Sequence, residues 1–460
     1  MQGKQRKDFD SLLTSVGELG LWHWLVLLTL VPPALLPGMW SVLFVFSGYV
    51  VKHRCGVPGC DTGDTDQYDA AWTQFSIPGD DGQERSSCQM YQRHENVTSS
   101  CAVEDFTDTV IDCSEYVMDD SVFSSTVVSE WSLVCDGDHG QLMVDLGYTC
   151  YSAGVFLGVL VPGLLADKFG RKRLLFISTL VTGVSTLASA FVPTYTSFLV
   201  TRVFTGFGTL GTFITMCVLA VEITSARHKS LVGNLVHILW APGQMLMAMM
   251  AYFIRDWRHL HIATSVPVFI SLLLYPLTPE SPRWLLSVNK NKEAKRVIDQ
   301  IAKYNKKSSP DIFDDVDDIP EAGDEDESNT KVSAWHLFSR PGIALTTVIL
   351  SINWLVVDFC YYGLSLNSVN LAGDIFTNFI LSALVELPAV VLGMVGMDWV
   401  GRVLLLTTCQ LAGGVACILA GLLQPPWVMP LSLVGKFSSS VVFLIVYLYT
   451  AEIYPTQVRY

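Results

Sequence analysis

Residues 167–171 of the chain read DKFGR, and residues 398–402 read DWVGR, so both stretches follow the pattern D-x-x-G-R. The second stretch lies 231 positions after the first, and Glu452 lies 230 positions after Glu222. Each of these four sites follows a long apolar run. Two independent pairs at nearly one offset indicate that the chain contains an internal duplication.

The apolar runs dominate the composition. Half of the 460 residues are hydrophobic and 16% are charged, whereas soluble domains carry about 25% charged residues. Runs such as 25–46 and 403–423 contain no Asp, Glu, Lys or Arg, and each is long enough to cross a hydrocarbon layer of roughly 30 Å. We therefore exclude a soluble protein and predict ten spanning helices, near residues 21–48, 141–165, 174–194, 196–221, 230–254, 257–277, 343–366, 374–397, 403–423 and 428–450.

Six of these predicted helices lie within one length of the repeat. Six helices per half, with the halves related by an axis along the membrane normal, is the arrangement of the major facilitator superfamily. We predict an all-α membrane protein with this fold and two six-helix pseudo-repeats, the last two helices being missing from the 460-residue chain. The predicted divisions are a cytoplasmic N-terminus (1–20), an N-terminal bundle (21–277) that includes an extracellular loop (50–139), a cytoplasmic loop (278–342) and a partial C-terminal bundle (343–460).

The orientation follows from the short basic cluster at residues 168–173, which places this loop and the N-terminus in the cytoplasm. The loop 50–139 then lies outside the cell, where Asn96 begins an N-x-T glycosylation signal. The same loop holds six of the eleven cysteines, and an even number in an oxidising compartment predicts up to three disulfides with 15 possible pairings. No metal site is predicted, because paired C-x-x-C units are missing. The six are Cys55, Cys60, Cys88, Cys101, Cys113 and Cys135.

Three stretches of the chain are specific motifs: residues 130–136 (EWSLVCD), 279–286 (PESPRWLL) and 451–456 (AEIYPT). By these motifs the whole chain resembles the solute carrier 22 family. Three others look most like its carnitine and zwitterion branch, including insect carcinine transporters: residues 251–258 (AYFIRDWR), 362–367 (YGLSLN) and 434–437 (VGKF). The resemblance implies a multi-pass transporter of the cell membrane that moves small organic cations or zwitterions by alternating access.

Two other functions remain open at this stage. One is an organic anion exchanger of the same family, in which Lys436 and Arg202 would dominate binding; the other is a non-transporting receptor or scaffold. An enzyme is not expected, since the chain has no Gly-rich phosphate loop and no His-Glu metal cluster. No cofactor is predicted, and coupling to Na⁺ or H⁺ is left open. The expected partners are the substrate and the lipid bilayer, without nucleic acid, and we expect a monomer.

A candidate substrate site lies on the seventh predicted helix. An ionisable residue inside a span costs roughly 2.5 to 3.5 kcal/mol at the centre, so it is a functional candidate. Asp358 shares one helical face with Trp354, Tyr361, Tyr362 and Ser365. A carboxylate among aromatic rings suits an ammonium group, which is attracted both by charge and by the ring faces. The alternative is that Asp358 only pairs with Lys436 or Arg202.

Further substrate-contact candidates come from two other observations. His237, Trp240 and Gln244 share a helical face, as do Phe213 and Cys217, and the resemblance aligns them with cavity-lining positions of the family. In helix ten, Phe443 and Lys436 are candidates, and Lys436 would meet a substrate carboxylate. Glu386 lies beside Pro388, which frees a backbone carbonyl, and is interpreted as either structural or proton-linked.

The charged residues after helices two, four, six, eight and ten are predicted to form a cytoplasmic gate. Asp and Arg at these ends would pair across the two halves in one state and separate in another, while Gly170 and Gly401 permit a tight turn. The alternative is that these charges only fix the topology. The gate residues are Asp167, Arg171, Glu222, Arg227, Glu280, Arg283, Asp398, Arg402, Glu452 and Arg459.

Overall fold

The computed structural model describes residues 13–61, 68–79, 85–94, 101–135, 138–225, 227–307, 341–424 and 426–453. Helices make up most of it. In the first half they are α1 Leu21–Ser41, α2 Leu43–Ser47, α3 Thr73–Ser76, α4 Val127–Glu130, α5 Asp138–Phe169, α6 Arg171–Ser189, α7 Tyr195–Glu222, α8 Lys229–Ile238, α9 Trp240–Phe253 and α10 Trp257–Leu273. They continue with α11 Pro282–Ser287, α12 Asn291–Tyr304, α13 Pro341–Asn367, α14 Ile375–Leu384, α15 Glu386–Trp399, α16 Arg402–Leu422 and α17 Val428–Ile453.

Eight stretches of the described chain are helical, long and apolar enough to cross a membrane. They correspond to eight of the ten predicted spans. The other two predicted spans are also helical, but α10 is only 17 residues long, and α6 carries a stripe of buried hydroxyl side chains that makes it less apolar. A hydrophobicity criterion therefore misses two helices that pack within the bundle, α6 against α7 and α10 against α6 and α1.

Three predicted spans are broken in the structure. The first is interrupted at Val42, the fifth at Leu239 and the eighth at Val385. The last two breaks lie three residues before Pro242 and Pro388. Since a proline has no N–H to donate to the carbonyl four residues earlier, a helix tends to break or kink there. Each break starts a new helix, and Trp240 and Glu386 are the first residues of α9 and α15.

Close helix crossings build each half. In the first half α7 packs against α5 and α6, and in the second half α17 packs against α13 and α16. Gly154 on α5 and Gly206 on α7 lie at the crossing point, where a Cβ atom on either would overlap the backbone of the other helix. Small residues of this kind let two membrane helices approach closely.

The two D-x-x-G-R turns have the same backbone conformation. Gly170 has φ 95° and ψ 154°, and Gly401 has φ 88° and ψ 152°. A side chain rarely adopts these angles, so glycine is needed at both positions. The prediction of a glycine-dependent turn is confirmed, and the match shows that the duplication extends to backbone geometry.

The loop after α2 forms a small domain held by three disulfides, Cys55–Cys113, Cys60–Cys101 and Cys88–Cys135. It contains two antiparallel strand pairs: β1 His53–Cys55 with β4 Tyr116–Met118, and β2 Gln89–Arg93 with β3 Phe106–Asp112. Glu130 anchors this disulfide domain to α10, because its carboxylate accepts a hydrogen bond from Trp257 Nε1 at 2.7 Å and pairs with Arg258. We call this side of the molecule the disulfide side. Asn96 lies outside the described residues.

On the opposite side, α11 and the amphipathic α12 follow the sixth spanning helix. Ile298 and Ile301 of α12 are buried against Leu13 and Val16 of the N-terminal segment. Asn305, after α12, donates to the carbonyls of Val16 and Gly17. The acidic run from residue 311 to residue 327 lies outside the described residues.

The disulfide pairing is directly testable. We expect digestion of the unreduced protein to yield cross-linked peptides that join Cys55 to Cys113, Cys60 to Cys101 and Cys88 to Cys135, with each loop stabilising the fold by about 4 kcal/mol in the chain-entropy description. Mass spectrometry of the peptides before and after reduction is the measurement. A peptide that joins Cys55 to Cys60 or Cys88 to Cys101 would contradict this arrangement.

Candidate functional site

The first residue of α15 provides a buried carboxylate in the middle of the molecule. Glu386 is 5% exposed and lies in the first turn of the helix that begins after the break at Val385. Backbone hydrogen bonds run across the break, from Val385 N–H to Leu381 O at 3.1 Å and from Ala389 N–H to Val385 O at 3.3 Å. Glu386 therefore lies inside a single apolar stretch that is long enough to span a membrane.

Glu386 is paired with the buried lysine of α17. Lys436 Nζ lies 2.9 Å from Glu386 Oε1, and Lys436 is 1% exposed. The ammonium also donates to Ser365 Oγ at 2.5 Å and lies 3.2 Å from the centroid of the Tyr361 ring. Lys436 thus contacts a carboxylate, a hydroxyl and an aromatic face at once.

A chain of hydrogen bonds connects this ion pair to the first half. The Tyr361 hydroxyl donates to Glu386 Oε1 at 2.8 Å, and Gln244 Nε2 donates to the Tyr361 oxygen at 2.9 Å. Gln244 belongs to α9, whereas the other groups belong to α13, α15 and α17. The polar cluster of Gln244, Tyr361, Ser365, Glu386 and Lys436 therefore crosses the boundary between the two halves.

The sequence left open the alternative that Asp358 forms an ion pair with Lys436 or with Arg202, and the structure shows other partners for both cations. Lys436 pairs with Glu386, and Arg202 stacks between two rings, with its Cζ 4.8 Å from the Phe44 centroid and 4.7 Å from that of Tyr151. Among the described residues Asp358 pairs with neither cation, because Lys436 is held by Glu386 of α15 and by Ser365 and Tyr361 of α13, at other positions of that helix. Asp358 is half-buried on α13, and the described part of the chain offers it no ion-pair partner.

Aromatic side chains form a continuous row beside the polar cluster. Successive ring centroids lie 5.1 to 5.9 Å apart from Tyr361 to Phe443, Trp354, Tyr447, His237, Phe213 and Trp240. Tyr362 adds an edge contact to Tyr361 at 5.2 Å. The sequence reasoning missed Tyr447, although it shares a helical face with Lys436 and Phe443 at spacings of eleven and four residues.

The two halves are packed together at the disulfide side. Phe376, near the start of α14, stacks on Phe46 of α2 at 5.9 Å, and Phe379 meets Phe46 edge-on at 4.9 Å. Phe123 and Arg255 of the first half also contact the Phe376 ring, at 5.8 and 4.5 Å. The two halves are therefore in direct contact on the disulfide side.

The charged turn on the opposite side makes its ion pairs within the first half. Arg171 pairs with Asp167 at 2.8 Å and with Glu222 at 3.0 Å. Glu280 accepts hydrogen bonds from the backbone N–H groups of Arg171 and Lys172 at 2.9 and 3.0 Å. These four gate candidates meet in one network that connects the ends of α5, α6, α7 and the segment before α11.

Four of the other gate candidates lie at or near helix ends. Arg227, Asp398 and Arg402 are exposed, and Arg283 lies in the first turn of α11. The Glu452 side chain and Arg459 lie outside the described residues.

Removal of the Tyr361 hydroxyl tests the polar cluster. We expect Tyr361→Phe to lower the free energy of unfolding by about 1 to 3 kcal/mol, because the buried Gln244 amide and Glu386 each lose a hydrogen bond. Thermal unfolding of the purified protein in detergent is the measurement. Tyr362→Phe is the matched control, since within the described ranges its hydroxyl has no hydrogen-bond partner. Equal losses in the two variants would contradict the cluster.

Comparison with known proteins agrees with this architecture. Residues 110–460 match the family model described as "Sugar (and other) transporter". The human organic cation/carnitine transporter 2 is 32% identical over 471 aligned positions, which cover 98% of this chain and 82% of that protein. The beta-alanine transporter of Drosophila melanogaster is 30% identical, and the alignment covers 98% of this chain and 78% of that protein.

The fold also matches solved structures of a major facilitator transporter. The xylose transporter XylE from E. coli, in a partially occluded inward open conformation, superposes with a TM-score of 0.61 at 16% identity, covering 92% of this chain and 86% of that one. A structure of XylE bound to 6-bromo-6-deoxy-D-glucose superposes with a TM-score of 0.59. At this identity the likeness concerns the fold alone. Together with the relatives of similar sequence, it establishes that the chain belongs to the solute carrier 22 family of membrane transporters, within the major facilitator superfamily.

Proposed function

We propose that this transporter moves small organic cations or zwitterions across the plasma membrane by alternating access. The observation that carries the proposal is the polar cluster around Glu386 and Lys436, which lies beside the row of aromatic rings between the two halves. Relatives named for organic cations, carnitine and beta-alanine all take compounds with a positively charged nitrogen. Such a group is attracted by a carboxylate and by the faces of aromatic rings.

The proposed roles follow from the contacts. Glu386 supplies the negative charge, Tyr361 and Phe443 supply ring faces, and Lys436 supplies a positive charge for a substrate carboxylate. Asp358 lies one helical turn before Tyr362 on the same helix and adds a second carboxylate near the ring row. His237, Trp240 and Phe213 extend the aromatic lining into the first half, so that both halves contact the substrate.

Alternating access is supported by the aromatic contact between the two halves on the disulfide side. The rings of Phe46 and Phe376 hold the halves together at the disulfide side, which we assign to the cell exterior, with the N-terminus inside. The D-x-x-G-R turns then lie on the cytoplasmic side, where the network around Arg171 serves as part of a gate. Its ion pairs within the first half would exchange for pairs with the second half when the disulfide side opens.

The test is uptake into cells that express the chain at the surface. We expect saturable uptake of labelled carnitine or β-alanine, and at least a tenfold loss of uptake in Glu386→Gln at equal surface amounts, because the amide removes the charge that attracts the ammonium. Asp358→Asn is expected to lose amine uptake as well. The matched control is Asp108→Asn, the same chemical change at an exposed residue of the disulfide domain.

The outcomes separate the competing functions. Uptake of urate alone, with unchanged activity in both carboxylate variants, would contradict the proposal and favour an organic anion exchanger. Protein that reaches the surface and moves none of these compounds would favour a receptor or scaffold.

A further inference from the structure

The ammonium group of Lys436 occupies a site with the properties expected for an organic ammonium ligand. Its Nζ lies 3.2 Å from the centroid of the Tyr361 ring, 2.9 Å from the Glu386 carboxylate and 2.5 Å from Ser365 Oγ. A ring face and a carboxylate together are the recognition chemistry of ammonium compounds. Here the protein's own side chain fills that site.

We propose that Lys436 is a resident substitute for the substrate, and that the substrate ammonium replaces it on Tyr361 and Glu386. The displaced Lys436 ammonium then pairs with a carboxylate of the same substrate molecule. The lysine side chain is suited to this exchange, because its charge sits on a flexible four-carbon stem. The inference rests on the proposed transport function and narrows its substrate class to zwitterions, meaning amino acids and betaines.

Charge pairing decides between zwitterions and simple cations. The cluster holds one carboxylate and one ammonium, both nearly inaccessible to solvent. A zwitterion leaves each of these charges paired, Glu386 with the substrate ammonium and Lys436 with the substrate carboxylate. A simple monocation would leave the Lys436 ammonium unpaired inside the membrane, and breaking a buried pair in this way is strongly unfavourable.

Asp358 is poorly placed to take over as the partner of Lys436. Ser365, which accepts a hydrogen bond from Lys436, lies seven residues further along α13 than Asp358, which is about 10 Å along the helix axis. The ring of Tyr361, stacked under the ammonium, lies between these two levels of the helix. A released Lys436 therefore finds its carboxylate on the substrate.

The test compares two ligands that differ only in the carboxylate, γ-butyrobetaine and butyltrimethylammonium. With the purified full chain, we expect wild-type protein to bind the betaine at least tenfold more tightly than the simple cation, measured by calorimetric titration. Lys436→Gln should reverse or abolish this preference, because the variant has no lysine ammonium that needs a carboxylate partner once the ligand has displaced it. Lys436→Arg keeps a positive charge and should keep the preference for the betaine.

Lys436→Gln leaves Glu386 unpaired, so a second variant protects the test against misfolding. The double variant Glu386→Gln with Lys436→Gln contains no unpaired charge and should bind both ligands within about threefold of each other. Wild-type protein that binds the two ligands equally, or binds neither, overturns the inference. So does a Lys436→Gln variant that weakens both by the same factor. Uptake of carnitine or β-alanine by the same wild-type protein would leave the proposed transport function standing in each of these cases.

Discussion

The ion pair between Glu386 and Lys436 is the interaction on which the centre of this transporter depends. Each charge alone would be costly within a membrane-spanning bundle, and each is acceptable because the other lies 2.9 Å away. Tyr361 donates a hydrogen bond to Glu386, and Ser365 accepts one from Lys436. Gln244 of the first half donates to the Tyr361 oxygen, which connects the pair to that half. A neutral, fully paired cluster thus lies at the boundary between the two helical bundles.

Helix breaks explain how these groups reach one another. The break at Val385 makes Glu386 the first residue of α15, and the break at Leu239 makes Trp240 the first residue of α9. Both breaks precede a proline by three residues, where the missing N–H interrupts the helical hydrogen-bond pattern. In the first half, Gly154 of α5 and Gly206 of α7 let these two helices pack closely.

Much of the fold could be predicted from the sequence because its signals are local. Apolar runs predicted where the helices lie, the D-x-x-G-R repeat predicted matching turns at Gly170 and Gly401, and an even number of loop cysteines predicted disulfides. The pairing of those cysteines could not be predicted, since 15 arrangements satisfy the sequence and only the chain path selects one. The helix breaks at Leu239 and Val385 had a visible signal in Pro242 and Pro388, but a kinked helix and a broken one have the same apolar pattern.

The partner of Lys436 could not be predicted for a different reason. Helical periodicity shows which residues share a face of one helix, but the rotation of one helix relative to another depends on the packing of whole side-chain layers. The sequence offered only Asp358 as a carboxylate partner for Lys436, whereas the relative placement of α13, α15 and α17 brings Glu386 to the lysine. Tyr447 could have been found, because it follows Phe443 by one turn on the face that carries Lys436.

The most direct test of this account is a double-mutant cycle on the ion pair. Unfolding of the purified protein would be measured for Glu386→Gln, for Lys436→Gln and for the double variant. We predict that each single change costs about 3 to 5 kcal/mol, because it leaves one buried charge without its partner, and that the double variant is more stable than either single variant. Single-variant losses that simply add in the double variant would contradict the claim that these two charges depend on each other.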